Sequence, residues 1–167
     1  MALKGDRNIW ADGYNLDFFM NVTSERGIIV VHNTAGSGAS MDDGSATVVI
    51  PTGGASGTNP AGLLLCDVVN LDLTRQHLNQ HLEEVQKGSK VPLLRHGWVV
   101  TNMIKSGDSP TAGQDAFYYS DGTLSVTNPQ AGATSSDQGV NYLQQKVGKF
   151  LSSKDADGYA KVEINIT

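Results

Sequence analysis

The feature that most constrains this chain is the alternation near its C-terminal end. From Tyr159 to Ile166 apolar side chains fall at positions 160, 162, 164 and 166, and Lys161, Glu163 and Asn165 fall between them. A period of two is the signature of a strand with one dry face and one wet face. It predicts an antiparallel strand over these residues with Lys161, Glu163 and Asn165 in solvent.

Other segments carry a related signal. Residues 16–22 hold Phe18 and Phe19, and residues 28–31 read Ile-Ile-Val-Val. Residues 46–50 end in Val48-Val49-Ile50 and are stopped by Pro51. β-branched and aromatic runs bounded by Gly, Pro, Asn and Ser predict short strands. Where the run is continuously apolar, the strand is expected to be buried on both faces. Residues 90–95 and 98–104 predict two more strands, split by His96-Gly97. Pro92 cannot donate to a ladder, so its strand is expected to be an edge strand or to start near Pro92. Residues 116–120 and 123–127 flank Asp121-Gly122, a strong hairpin signal. Residues 147–151 predict another strand, and Asp155-Ala156-Asp157-Gly158 a turn.

One segment reads differently. Leu78, Leu82 and Val85 follow i, i+4, i+7, which suits a short amphipathic helix from about Thr74 to a C-cap at Gly88. An irregular extended segment is the alternative. The connectors are long and polar: residues 34–45 read TAGSGASMDDGS, and residues 52–59 and 128–138 are similar. Loops of this length are usually functional. The first fifteen residues follow neither period and carry Asp6, Arg7, Trp10 and Tyr14. An aromatic arm of this kind packs on its own domain or docks on a partner, since aromatic side chains dominate interface energetics. The fold expected is mainly β: an N-terminal arm (1–15) and one small β-barrel or β-sandwich domain (16–167), with long Gly/Ser-rich loops and at most one short helix.

Composition narrows the function. Charged residues are 17% of the 167, against roughly 25% on average, and the formal net charge is −5. Scattered Lys and Arg on an acidic chain argue against binding to nucleic-acid backbones. No run approaches the ~20 apolar residues of a membrane-spanning helix. Cys66 is the single cysteine, so no internal disulfide forms; it is expected as a buried thiol, with a reactive or intermolecular thiol as the alternative. The first seven residues lack a secretory signal, which suits synthesis in a reducing cytoplasm.

The motifs that carry chemistry do not assemble. His77 and His81 sit at i, i+4, but no third ligand is fixed by spacing, and a solvated polar face is the plainer reading. The acids of Asp155-Ala156-Asp157-Gly158 and of Asp42-Asp43-Gly44 lack the register of a calcium loop. No nucleophile elbow, phosphate loop or dinucleotide fingerprint occurs. No enzyme activity, cofactor or metal is expected. Trp98, Tyr118 and Tyr119 could stack on sugar rings, though aromatics in strands are more often core.

Three stretches, GLLLCDVVN (62–70), GSKVPLLRHGWVVT (88–101) and VGKFLSSKDADGYAKVEI (147–164), together resemble tailed-bacteriophage capsid decoration (cement) proteins. The resemblance spans about two thirds of the chain, from residue 62 to 166. It implies a β-barrel or β-tulip-like protein on the outer surface of the virion, made in the host cytoplasm. Its partners would be the major capsid protein and itself, as a trimer or alternatively a dimer. It would bind the expanded capsid and brace the lattice against genome pressure, without contact to nucleic acid or membrane. Asp6, Arg7, Trp10 and Tyr14 are the expected partner contacts. A tail-tube or head–tail joining subunit and a carbohydrate-binding module are the alternatives.

Overall fold

The computed structural model describes residues 10–11, 15–33, 47–51, 59–65, 84–128 and 146–166. In them the chain forms thirteen strands. These are β1 (Trp10–Ala11), β2 (Asn15–Met20), β3 (Ser24–Glu25), β4 (Ile29–His32), β5 (Thr47–Val49), β6 (Pro60–Leu64) and β7 (Glu84–Val85). There follow β8 (Lys90–Leu94), β9 (His96–Thr101), β10 (Asp115–Tyr118), β11 (Leu124–Ser125), β12 (Lys146–Phe150) and β13 (Ala160–Asn165). No helix occurs among the described residues.

Five strands close a barrel in the order β2-β5-β4-β6-β8, with β8 pairing back onto β2. Six form a sheet in the order β1-β9-β13-β12-β10-β11, and β3 and β7 make a small ribbon. The barrel interior is one core, built from Phe18, Met20, Ile28, Val30, Val48, Ala61, Leu64, Val85, Val91 and Leu93. A second core fills the space between barrel and sheet. Ile29, Val31, Leu63, Leu65 and Leu94 enter it from the barrel, against Val99, Tyr118, Phe150, Val162, Ile164 and their neighbours from the sheet.

The continuously apolar runs have their reason here. Ile29 and Val31 face the second core while Val30 faces the first; Leu63 and Leu65 face the second while Leu64 faces the first. A wall between two cores is dry on both sides, so β4, β6 and β8 carry apolar residues at nearly every position. Ala61 breaks the phase: Val30 pairs with Gly62 and Val31 with Pro60, which leaves Ala61 as the extra residue of a bulge, turned into the barrel.

β13 matches its alternation. It lies between β9 and β12, with Ala160, Val162 and Ile164 buried, Glu163 and Asn165 exposed and Lys161 half-buried. The Asp121-Gly122 hairpin also forms, with Tyr118 opposite Leu124 and Gly122 at φ 81°. Its turn does a second job. The N–H of Ile29 donates to the carbonyl of Gly122 at 2.8 Å, tying the sheet to the barrel. A Cβ at Gly122 would lie 2.6 Å from the Ile29 carbonyl oxygen, so this contact needs glycine.

Two expectations change and a third is decided. β8 and β9 are separated by Arg95 alone, and His96 and Gly97 belong to β9. The reason is β13, whose Ile164 and Asn165 pair with Gly97 and His96. Of the two readings for Pro92, the strand starts near it and is not an edge: β8 begins at Lys90 and lies between β2 and β6 in the closed barrel. The Pro92 carbonyl accepts the N–H of Leu65 at 3.4 Å, and the β6 pairing ends at Leu64 with Leu93. Its missing N–H therefore falls where the ladder has already stopped. Val85 is not on a helix either: it pairs with Ser24 in the ribbon and is buried in the barrel core. Gly88, at φ 85°, turns the chain from β7 into β8. The rest of the expected helix, residues 74–83, lies outside the described residues, as do Cys66 and nearly all of the long loops at 34–45, 52–59 and 128–138.

Gly148 offers a sharp test of the β12–β13 contact. It pairs with Ile164, and a Cβ there would lie 1.7 Å from the carbonyl oxygen of Glu163. Gly148→Ala should cost at least about 3 kcal/mol, because backbone must move. Gly158→Ala, at φ 85° in open space, should cost about 1–2 kcal/mol from backbone strain alone. Urea midpoints read by circular dichroism should rank the two in that order, and the reverse order would contradict the register.

Candidate functional site

The outward face of the six-stranded sheet is a regular surface. Alternation sets its side chains: His96, Trp98 and Val100 from β9, Lys161, Glu163 and Asn165 from β13, Lys146 and Lys149 from β12, and Asp115 and Phe117 from β10. Register places Trp98, Glu163, Lys149 and Asp115 in one row across four strands. The charges in that row alternate in sign, which is the favourable cross-strand arrangement. The Lys161 ammonium sits 3.7 Å from the centre of the Trp98 ring. Lys146 pairs with Asp115 at 2.8 Å, and His96 Nδ1 meets Asn165 Oδ1 at 3.4 Å. Exposed pairs of this kind contribute about 0–1 kcal/mol each. The face therefore adds little to stability, and its chemistry is that of a mixed-charge contact surface.

The aromatic residues do not form a sugar platform. Tyr118 is fully buried in the second core. Tyr119 carries the Lys105 ammonium 3.9 Å from its ring centre, as Trp98 carries Lys161. Nor does the Asp155 loop hold open ligands. Asp155 Oδ1 accepts the N–H groups of Asp157 at 3.0 Å and Tyr159 at 2.8 Å, which makes it the cap of a turn. Asp108 is similarly engaged: its Oδ2 accepts the Ser125 hydroxyl at 2.6 Å and the Val126 N–H at 3.0 Å. Among the described residues no group of three or more His, Cys, Asp and Glu side chains is placed to hold a metal.

Of the expected contact residues, Asp6, Arg7 and Tyr14 lie outside the described residues, as do His77, His81 and the Asp42-Asp43 pair. Trp10 is described as backbone. It pairs with Trp98, and Ala11 with Gly97, so this part of the arm is an edge strand of the sheet. β1 thus runs antiparallel to β9, and β2 antiparallel to β8. A two-residue strand leaves no periodic trace, so sequence reasoning had no signal for it.

Charge divides unevenly. The described residues hold nine Lys/Arg and nine Asp/Glu, against 12 and 17 in the whole chain. The acidic surplus of five therefore belongs entirely to the segments outside them.

The described residues form an all-β fold with two apolar cores and an ion-paired sheet face. Residues 13–165 match the family described as structural cement protein (E217 gp24/Pam3 gp6). The chain belongs to that family: it is a phage structural protein and not an enzyme. No curated protein matches the chain.

His32, on β4, gives the structure a pH dependence. Its ring meets Phe18 edge-on at 5.4 Å, and its pKa lies below the ordinary 6.5, first because burial disfavours its charged form and second because Arg95 repels it. The unfolded chain then binds the proton more readily than the folded one. The stabilisation is full above about pH 6.5 and is lost as pH falls through the depressed folded value. The thermal midpoint should drop between pH 7.5 and pH 5, and His32→Gln should flatten part of that drop. An identical slope in the variant would remove His32 from the account.

Proposed function

We propose that this chain binds the outer surface of the expanded phage capsid, through the major capsid protein, and braces the lattice against the pressure of the packaged genome. The observation that carries the reading is membership of the structural cement family over residues 13–165. The mixed-charge sheet face and the acidic surplus in the remaining segments support it, since both suit a surface turned away from DNA. The arm supplies the docking contacts: Asp6, Arg7, Trp10 and Tyr14, with Trp10 held beside Trp98 at the sheet edge. The protein acts as a homo-oligomer, a trimer in preference to a dimer. Each copy needs an interface on the order of 1,000 Å² to hold its position, and symmetry-related copies add avidity.

Purified protein should co-sediment with expanded capsids that lack it, and saturate at a stoichiometry set by the lattice. Unexpanded shells should bind little. Removal of residues 1–11 spares β2, which begins at Asn15, so the truncated chain should keep its circular dichroism and lose capsid binding. Full binding by the truncated chain would remove Asp6, Arg7 and Trp10 from the interface. Failure of the intact protein to bind either shell, with rings or tubes seen by electron microscopy, would favour a tail-tube or joining subunit.

A further inference from the structure

The barrel joins the six-stranded sheet at one end, where β8 runs into β9 through Arg95 and the Asp121-Gly122 turn bonds Ile29. Two loops leave the opposite end. Residues 102–114 link β9 to β10, with β11 beyond them, and residues 151–159 link β12 to β13. Register brings them side by side, since Thr101 pairs with Ala160, Phe150 with Val162 and Asp115 with Lys149. The loops brace each other. The N–H of Gly113 donates to the Phe150 carbonyl at 2.7 Å, the N–H of Phe150 to the Gln114 carbonyl at 2.8 Å, and the Lys154 ammonium to the Asp108 carbonyl at 2.7 Å. β1 runs antiparallel to β9, with Ala11 opposite Gly97 and Trp10 opposite Trp98, so its N-terminal end points toward this same end of the sheet.

Here the surface has an apolar corner cleared of charge. Leu151 is 41% exposed, the one large hydrophobic residue in solvent among the described residues. A lone exposed leucine is ordinary. Its surroundings are not. On one side is Lys161, whose carbonyl accepts the Leu151 N–H at 2.8 Å. The Lys161 ammonium lies over the Trp98 ring on β9, the neighbour of β13 away from β12 and Leu151. On the other side residues 109–114 read Ser-Pro-Thr-Ala-Gly-Gln, with Pro110 buried, the rest exposed and none charged. The loops spend their own charges within the molecule. Lys105 lies over Tyr119, Asp108 accepts from Ser125 and Val126, Lys154 donates to the Asp108 carbonyl, and Asp155 caps its own turn, with Asp157 exposed at the tip of that turn. The cores of protein interfaces are depleted in charge, and loops already held in shape bind without a further ordering cost. We propose that this corner, with Leu151 at its centre and residues 109–114 beside it, seats against an uncharged, apolar recess on the surface of the major capsid protein. The proposal rests on the capsid-docking reading and gives that docking its place on the fold, at the end of the sheet toward which β1 points.

The test compares full-length wild type and variants on expanded capsids that lack the protein. Leu151→Asp puts a charge at the corner. Because the side chain is exposed, circular dichroism and the thermal midpoint should match wild type, while capsid co-sedimentation weakens by at least about tenfold. Ala112→Arg should weaken binding from the other side of the corner, and Leu151→Met should bind like wild type. Asn165→Asp adds the same charge at an exposed position elsewhere on the outward sheet face, and should also bind like wild type. Undiminished binding by Leu151→Asp, or equal weakening by Asn165→Asp, overturns the proposal. So does a Leu151→Asp protein of smaller oligomeric mass in analytical ultracentrifugation, since that places Leu151 between copies of this chain. If wild type itself binds no capsid, the docking reading fails and this proposal falls with it; if wild type binds and the variants do not differ, this proposal falls alone.

Discussion

The structure depends on a wall with no wet side. β4, β6 and β8 separate the barrel interior from the space under the six-stranded sheet, and their side chains enter the two cores in turn. Burial of each such side chain contributes about 1.5–3 kcal/mol relative to exposure. The barrel and the sheet are therefore not independent layers. A change at Leu63 or Val31 is felt beneath the sheet, and a change at Leu64 or Val30 inside the barrel. The connection through Arg95 and the bond between Ile29 and Gly122 hold the two in register.

With apolar residues committed to that wall, the surface is left to polar work. The outward sheet face carries ion pairs and lysines laid over aromatic rings, which keep a broad β surface soluble without fixing its stability. The sheet edges are guarded in different ways. β1 covers β9 at Gly97 and Trp98, and the segment around Ile104 bridges to Leu124 on β11. Guarded edges matter because an open edge invites uncontrolled strand pairing.

Much of this was legible in advance. The alternation at 160–166, the Asp121-Gly122 turn and the apolar run at 28–31 each state a local rule that the fold obeys. Other features were not legible because the deciding partner is distant in sequence. Val85 continues a helical spacing from Leu78, yet its neighbour in space is Ser24. Pro92 argues for an edge or a strand start, and only the pairing shows that it sits where one ladder has already ended. His96-Gly97 looks like a break, yet β13 pairs straight across it. At the surface, the sequence left Trp98 and Tyr119 between sugar stacking and core, and the structure places the Lys161 and Lys105 ammonium groups over their rings.

By itself the sequence determined the mainly β class, the positions of most strands and which of their faces are dry. It also held the motif texture that placed the chain among phage cement proteins. Those properties are local: they follow from periods of two, β-branched runs and turn residues within a few positions of one another. Only the tertiary structure decided that the strands divide into a barrel and a sheet with a shared wall. It alone decided that Trp10 sits opposite Trp98 and that Arg95 lies close enough to His32 to lower its pKa. Pairing between segments far apart in the chain is selected by how whole faces fit, and no window of sequence contains both partners.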